Sequence, residues 1–429
     1  MAVLDRFSVD AARALPGADW LQARRVTSAE LLAATPYPDP SEEIWRYSRV
    51  AELDVSAYAP VEPGRGGAPM PRVARALLDT IGPVAGSVIT VDGRVTTMTG
   101  DPGLAEKGFS VGMLGEEGLL GSVMEEPTDW FAALNTAFSP NPLQVSVPPG
   151  MTVAAPVVVV HVIESPQAAV FPRLVVRAGE DSEVTVVDVA ISADGLPALL
   201  VPVTEVAAHQ AARVRLLTVN QLGDATWQVG SLVSRGGRDS STLLSAVALG
   251  GNYARLRVDA RLEGQGANGD QLAAYFGTGT QMHDFRTLQD HRAPKTRSNL
   301  LFKGVIDDAA RSVYTGLIKV RPEARGTDAF QTNRNVKLSK DAWAESVPNL
   351  EIETNDVRCS HASTVGPIDA EQRFYLESRG IPTQIAERLI VLGFFDEVLD
   401  QLPVGPLAEE LRSQVSAKLD LDRTLTGAA

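Results

Sequence analysis

From Val145 to Ile352 the chain sets Val-rich segments between turn clusters near residues 149, 165, 179, 194, 209, 222, 237, 251, 266 and 279, so that successive turns lie 13 to 16 residues apart. The weakest of the ten is His209-Gln210. A beat this steady restricts the fold to two β architectures. Stacked repeats, each burying its apolar face only against its neighbours, make a parallel β-helix. An antiparallel sandwich of long strands has the same rhythm, and spacing alone does not separate the two. With 429 residues, 44% of them hydrophobic, the chain buries a large core and divides into two or three units.

The flanks have a different texture. Residues 1–140 read as a mostly helical region with a small hairpin, 141–366 as the β core, and 367–429 as a helical domain. Thr27 followed by Glu30 reads as a capping box ahead of Leu31-Leu32, and Ser41-Glu42-Glu43 starts a short helix before Trp45 and Tyr47. Gly64-Arg65-Gly66-Gly67 breaks this region, and Asp92-Gly93 joins Val88–Val91 to Arg94–Met98 as a hairpin. Past Gly366, Asp369 caps a helix that stops at Gly380. Thr383 caps the next, with Ile385, Leu389 and Leu392 on one face, and Pro403 ends a further turn from Phe394 to Leu402. A last helix from about Leu407 to Leu421 carries the stripe Leu407, Leu411, Val415, Leu419, which either packs on the protein's own core or docks a partner.

Composition excludes several function classes. A single cysteine forbids a disulfide framework, and Met1–Phe7 lacks the charged-then-apolar pattern of an export signal. The longest apolar stretch, Val153 to Ile163, holds Pro156 and His161 and is too short to span a bilayer. These features predict a cytoplasmic protein with no membrane segment. A net charge of -14 argues against nucleic acid as a partner. The charge is uneven: Arg286 to Lys340 holds 12 Lys or Arg against 5 Asp or Glu, whereas Pro367 to Ala429 holds 6 against 11. The basic band either attracts an anionic partner or is a solvated sheet face with snorkelling side chains. The Gly-rich strings Gly64–Gly67, Gly236-Gly237 and Gly277-Thr278-Gly279 lack the Lys-Ser/Thr ending of a phosphate cradle, and no Gly-x-Ser-x-Gly elbow or HExxH helix is present. The expectation is a non-catalytic protein.

Cys359 and His361 are the pair with chemical promise. Residues i and i+2 of a strand share a face, so a thiolate and an imidazole there converge on one soft metal or one transferred sulfur. Taken alone, the thiol reads more readily as a small buried hydrophobe and the imidazole as a satisfied core residue. Of the other histidines, His161 lies in a Val-only strand and His209 in a polar turn. His283 and His291 are eight residues apart, which matches no established ligand spacing.

The text around the pair is more specific. Asn349-Leu350-Glu351-Ile352-Glu353, Asp356-Val357-Arg358-Cys359-Ser360-His361, the run Ala362 to Asp369 and Phe374-Tyr375-Leu376-Glu377-Ser378-Arg379-Gly380-Ile381 resemble the signature of the SufB/SufD family of iron–sulfur cluster assembly scaffolds. Upstream, His291–Asn299, Lys303-Gly304-Val305, Ala310–Gly316 and Thr327–Asn333 resemble further blocks of that family in the same order. The likeness covers roughly residues 280 to 402, with echoes at Glu43–Tyr47 and Asn135–Phe138. Where the SufB branch carries a reactive cysteine this chain has Leu376, and SufB chains hold several more cysteines, so the likeness is to the SufD branch.

The resemblance implies a right-handed parallel β-helix, which resolves the choice left open above. It implies a scaffold that pairs with SufB through the β-helix edge and receives sulfur indirectly, from donor proteins acting on SufB. It implies SufC docking on the C-terminal helices, with the stripe and the surfaces of Ile381 to Asp400 as candidates, and ATP entering only through SufC. Iron joins at the SufB/SufD interface, with His361 as the iron ligand and Cys359 as a candidate thiolate ligand of a transient, shared iron–sulfur cluster. One thiol cannot hold a cluster alone. A reduced flavin is associated with such complexes, although no flavin motif is present here. Two alternatives stand beside this reading: a homodimeric scaffold, and a secreted-type β-helix enzyme on polysaccharide using Asp307-Asp308, a pair whose side chains would face opposite ways in a strand.

Overall fold

The computed structural model describes residues 6–61, 69–115 and 117–426, with side chains to residue 419. The predicted break at Gly64–Gly67 lies outside these residues. Successive strands alternate between a twelve-stranded and a ten-stranded sheet: Tyr253–Leu262 in the first, Asn268–Gly277 in the second, Met282–His291 in the first, Arg297–Ile306 in the second. Neighbours within each sheet are parallel. Tyr253 pairs with Met282 and Met282 with Arg311, so one coil advances 29 residues, two beats of the sequence rhythm. The sandwich is thereby excluded, and the fold is a parallel β-solenoid of about eight coils with helices at both ends of the chain.

A recurring backbone device sets the beat. Asp181, Ala211, Asp239 and Lys295 all adopt positive φ at one corner of successive coils, and Gly150, Gly266 and Gly326 take the same place in the others. Asp tolerates this left-handed conformation because its short side chain bonds locally. Ala211 occupies it at φ 55, which is why the turn at His209-Gln210 is faint in sequence. The Asp92-Gly93 hairpin forms as predicted, antiparallel, with φ 49 and 79.

Inward side chains of the early coils are aliphatic and dry: Val157, Val159, Val184, Val186 and Leu216 are fully buried in one cluster. Further along, Phe285, Phe302 and Tyr314 stack edge to face at 5.4 and 5.5 Å. Both outer faces are covered. The N-terminal region lays Trp45, Trp130 and Phe131 on Leu199 and Tyr253 of the twelve-stranded sheet and on Phe171, which links two of its strands. Two buried ion pairs clamp it there. Glu205 meets Arg173 at 2.5 Å and accepts the N–H groups of Gly121, Val123 and Met124. Arg255 meets Asp284 at 2.5 Å, lies 4.4 Å from the Trp45 ring centre and donates to the Ile44 carbonyl. On the ten-stranded sheet sit Arg72–Ile81, Thr383–Leu399 and Gly405–Thr426.

Several local expectations need correction. The helix Asp19–Ala34 runs through Thr27, whose hydroxyl donates to the Ala23 carbonyl instead of capping. Thr383 is the first residue of its helix and donates to Glu377, with Pro382 at the cap. That helix continues unbroken through Phe394 to Leu399, because its apolar face has the sheet to pack on. Asp369 caps Ala370–Ser378 as predicted, accepting from Glu371 and Gln372 N–H. Asp307 and Asp308 lie in a turn between strands, and Asp308 Oδ2 accepts the Gly279 N–H, so the pair shapes a corner.

Candidate functional site

The solenoid stops at residue 367 without a cap. Trp343–Ile352 is the terminal strand of the twelve-stranded sheet and Val357–Pro367 that of the ten-stranded sheet, and neither contains a buried residue. Each keeps a free row of backbone donors and acceptors along one edge among the described residues, a template for further strand pairing.

Register decides which side chains face the opening. In Thr327–Lys337 the buried Ala329, Gln331, Asn333 and Asn335 alternate with exposed Asp328, Phe330 and Arg334, so the first set points inward. Cys359 pairs with Ala329, His361 with Gln331 and Ser363 with Asn333. Residues paired in register point the same way, so Cys359, His361 and Ser363 form an inward-facing row at the mouth. Ser363 Oγ lies 2.7 Å from Ser346 Oγ on the other sheet, bridging the opening. The two residues singled out in the sequence thus share a face, as their spacing predicts.

Their environments differ. Cys359 is half-buried against Ile318, Val320, Ala324 and Ala329, and burial pushes its thiol up, so at neutral pH it is protonated. Acting as a ligand requires that proton to leave. His361 is exposed and makes no hydrogen bond to another described residue. Among the described residues no group of three or more His, Cys, Asp or Glu is arranged to hold a metal ion.

A polar layer, unforeseen from the sequence, lies directly beneath. Tyr275 OH, Asn333 and Asn335 bond one another at 2.7 to 3.1 Å. Gln331 is fully buried and neither its Oε1 nor its Nε2 has a partner. Gly316 faces it: a Cβ there would stand 2.4 Å from Gln331 Nε2. The signal was the inward parity of Gln331-x-Asn333-x-Asn335, readable only once the strand's faces are known.

Of the remaining histidines, His209 is exposed in its turn and the other three are buried. His283 is driven down to about 3 by burial, then by Lys418, with Nε2 3.3 Å from the Phe276 carbonyl. His291 falls to about 4 through burial and sits between Thr296 and Ser298 hydroxyls at 2.8 and 2.9 Å. His161 is buried with Thr90 at 2.7 Å and Asp188 at 3.3 Å. Four of the twelve basic residues of the band are neutralised locally: Arg292 and Arg321 share Asp290, Lys319 meets Glu351, and Lys303 is buried against Glu397 and the Phe394 carbonyl.

The C-terminal helices also depart from expectation. Leu407, Leu411, Val415 and Leu419 are at most 2% exposed and pack on the chain's own sheet, so the stripe offers no docking surface. Exposed apolar area lies instead at Phe374 (71%), Tyr375 (57%), Ile385 and Leu389 (47% each). No helix among the described residues is long and apolar enough to cross a membrane.

Residues 161–394 match the family described as SUF system FeS cluster assembly, SufBD core domain. An iron-sulfur cluster assembly SufBD family protein of Mycobacterium tuberculosis is 38% identical over 51% of this chain, a stretch spanning 57% of that protein's own length. A SufBD family protein of Mycobacterium leprae is 32% identical over 74% of this chain and 80% of its own. The iron-sulfur cluster assembly protein SufD of Escherichia coli is 26% identical over 90% of each chain. The chain belongs to the SufBD family of the SUF system for iron–sulfur cluster assembly.

Proposed function

We propose that this chain is the SufD-type scaffold subunit of a SUF assembly, non-catalytic and cytoplasmic, which joins a SufB-type subunit through the open end of its solenoid. The observation that carries this reading is the uncapped last coil, whose inward row presents His361 and Cys359 beside unpaired strand edges. Iron–sulfur cargo then lies at the junction. His361 supplies an imidazole nitrogen, and Cys359 supplies a thiolate once a metal or the partner's field removes its proton. The partner contributes the remaining ligands, because one thiol and one imidazole leave a cluster incomplete.

A SufC-type ATPase docks on the exposed face of the C-terminal helices, with Phe374, Tyr375, Ile385 and Leu389 as its apolar contacts. ATP is handled there, and any reduced flavin belongs to the assembled complex. The test is anaerobic reconstitution with iron and sulfide of this chain co-purified with SufB and SufC homologues. His361→Ala is expected to leave the complex intact and to lower the cluster it accumulates. Normal accumulation would remove His361 from the site, and failure to bind either companion would remove the scaffold reading.

A further inference from the structure

Gln271, Gln289 and Gln331 are buried glutamines whose carboxamides find no partner, and of the three Gln331 alone is paired in register with a residue of the last strand. It is fully buried in the next-to-last coil, and its carboxamide leaves both Oε1 and Nε2 unpartnered. Such a group is disfavoured unless something bonds it. Opposite lies Gly316, where any side chain would overlap both the Tyr314 hydroxyl and Gln331 Nε2. Directly above in register is His361, the same face of the next strand, whose ring bonds no other described residue. Two polar groups without partners are thus stacked one strand apart, one sealed inside and one at the mouth.

From this juxtaposition we infer that Gln331 is the positioning residue for His361. When a metal ion takes the outward ring nitrogen, the opposite ring N–H turns inward and donates to Gln331 Oε1, which fixes the tautomer and aims the lone pair out of the solenoid. An imidazole that ligates a metal through one nitrogen is ordinarily anchored through the other. An amide suits this place better than a carboxylate, since it accepts the N–H without adding buried charge. In the free chain the two groups are register neighbours and unbonded, so the contact belongs to the loaded state. The inference rests on the reading of His361 as an iron ligand given above, and Gln331 touches no cargo itself.

The probe is Zn2+ added to the full-length chain labelled with 15N-histidine, whose five histidines are resolved by comparison with His361→Ala. An exposed imidazole N–H exchanges with water too fast to be seen, whereas one donating to a buried acceptor is retained. The zinc-loaded wild type is expected to show a protected His361 ring N–H with a nuclear Overhauser contact to the Gln331 side-chain amide. Gln331→Met, close in volume and without an acceptor, loses that resonance and weakens zinc binding about tenfold; Gln331→Glu restores the resonance. Absence of the protected N–H in the wild type, or its survival in Gln331→Met, overturns the inference, and the wild-type contact decides alone if Gln331→Met does not fold. Cluster accumulation by His361→Ala in the reconstituted complex reports separately on the iron reading, so the two can fail independently.

Discussion

The early coils and the last coil are built from the same strand, turn and register, yet they have opposite surfaces. Val157, Val186 and Leu216 are sealed by coils above and below and by helices outside. The final strands, Trp343–Ile352 and Val357–Pro367, bury nothing. In a solenoid each coil is a lid for the one before it, so the terminal coil lacks half its contacts. Most repeat proteins solve this with a capping element. Here Ala370–Ser378 follows at once but contributes no buried residue, and the opening is lined with Cys359, His361 and Ser363. An incomplete surface of this kind is where the proposed partner would pair, and the candidate residues Cys359 and His361 lie on it.

The contrast breaks first in stability. Phe302→Ala removes the centre of the aromatic stack and is expected to cost about 3–5 kcal/mol, whereas Val365→Ala on the last strand costs less than about 0.5 kcal/mol. Denaturant midpoints of the two variants measure the difference, and equal costs would mean that the last coil is as tightly held as the interior. Arg255→Met strands the Asp284 carboxylate beneath the N-terminal layer and falls in the same range, about 3–5 kcal/mol.

Much of this was legible in sequence, and the misses have physical causes. The turn rhythm was visible because each coil spends a positive-φ residue such as Asp181 or Asp239 at its corner, although one beat is half a coil and not a whole repeat. The shared face of Cys359 and His361 followed from strand parity alone. The stripe Leu407 to Leu419 was undecidable, since a helix facing its own sheet and one facing a partner carry the same apolar periodicity. Thr27 and Glu30 matched a cap inside a longer helix, where the hydroxyl bonds back one turn. Gln331 stayed invisible because inward parity means little until the coil above is known to end the stack.

Acid sharpens the comparison from inside. Burial holds His283 near 3 and His291 near 4, so between those values and the ordinary 6.5 the unfolded chain binds protons that the folded chain refuses. Stability therefore rises with pH across that window and is lost as pH falls from about 6.5. His291→Gln, which keeps hydrogen bonding to Thr296 and Ser298 within reach, is expected to flatten the profile measured by denaturant midpoints from pH 7 to 4. Carboxylates add a second, lower step. Burial alone would raise Glu205, but Arg173 and the backbone N–H groups outweigh it and hold it low, so its contribution disappears below the usual carboxylate range.

On the helical flank the expected change is in binding and not in folding. Phe374→Glu on the exposed helix should leave the unfolding midpoint within about 0.5 kcal/mol of wild type while abolishing co-purification with a SufC homologue. Leu411→Glu, buried against the sheet, should unfold the flank instead. A stable Leu411→Glu chain that still fails to bind SufC would return the stripe to the interface.

The smallest effect belongs to Cys359. Its side chain packs against the cluster of Ile318, Val320, Ala324 and Ala329 and is only half-buried, so Cys359→Ser should cost less than about 1 kcal/mol, well under any change to a sealed coil. Its reactivity is the finer measure. Because burial raises the thiol's pKa, the thiolate fraction at pH 8 is smaller than for a free cysteine, and alkylation by iodoacetamide should be slower than that of a small-molecule thiol and should accelerate as pH rises past 9. Addition of a SufB homologue should then protect the thiol at every pH, since the mouth is covered. Alkylation at an unchanged rate in the complex would place the junction elsewhere on the molecule and leave the open coil without its partner.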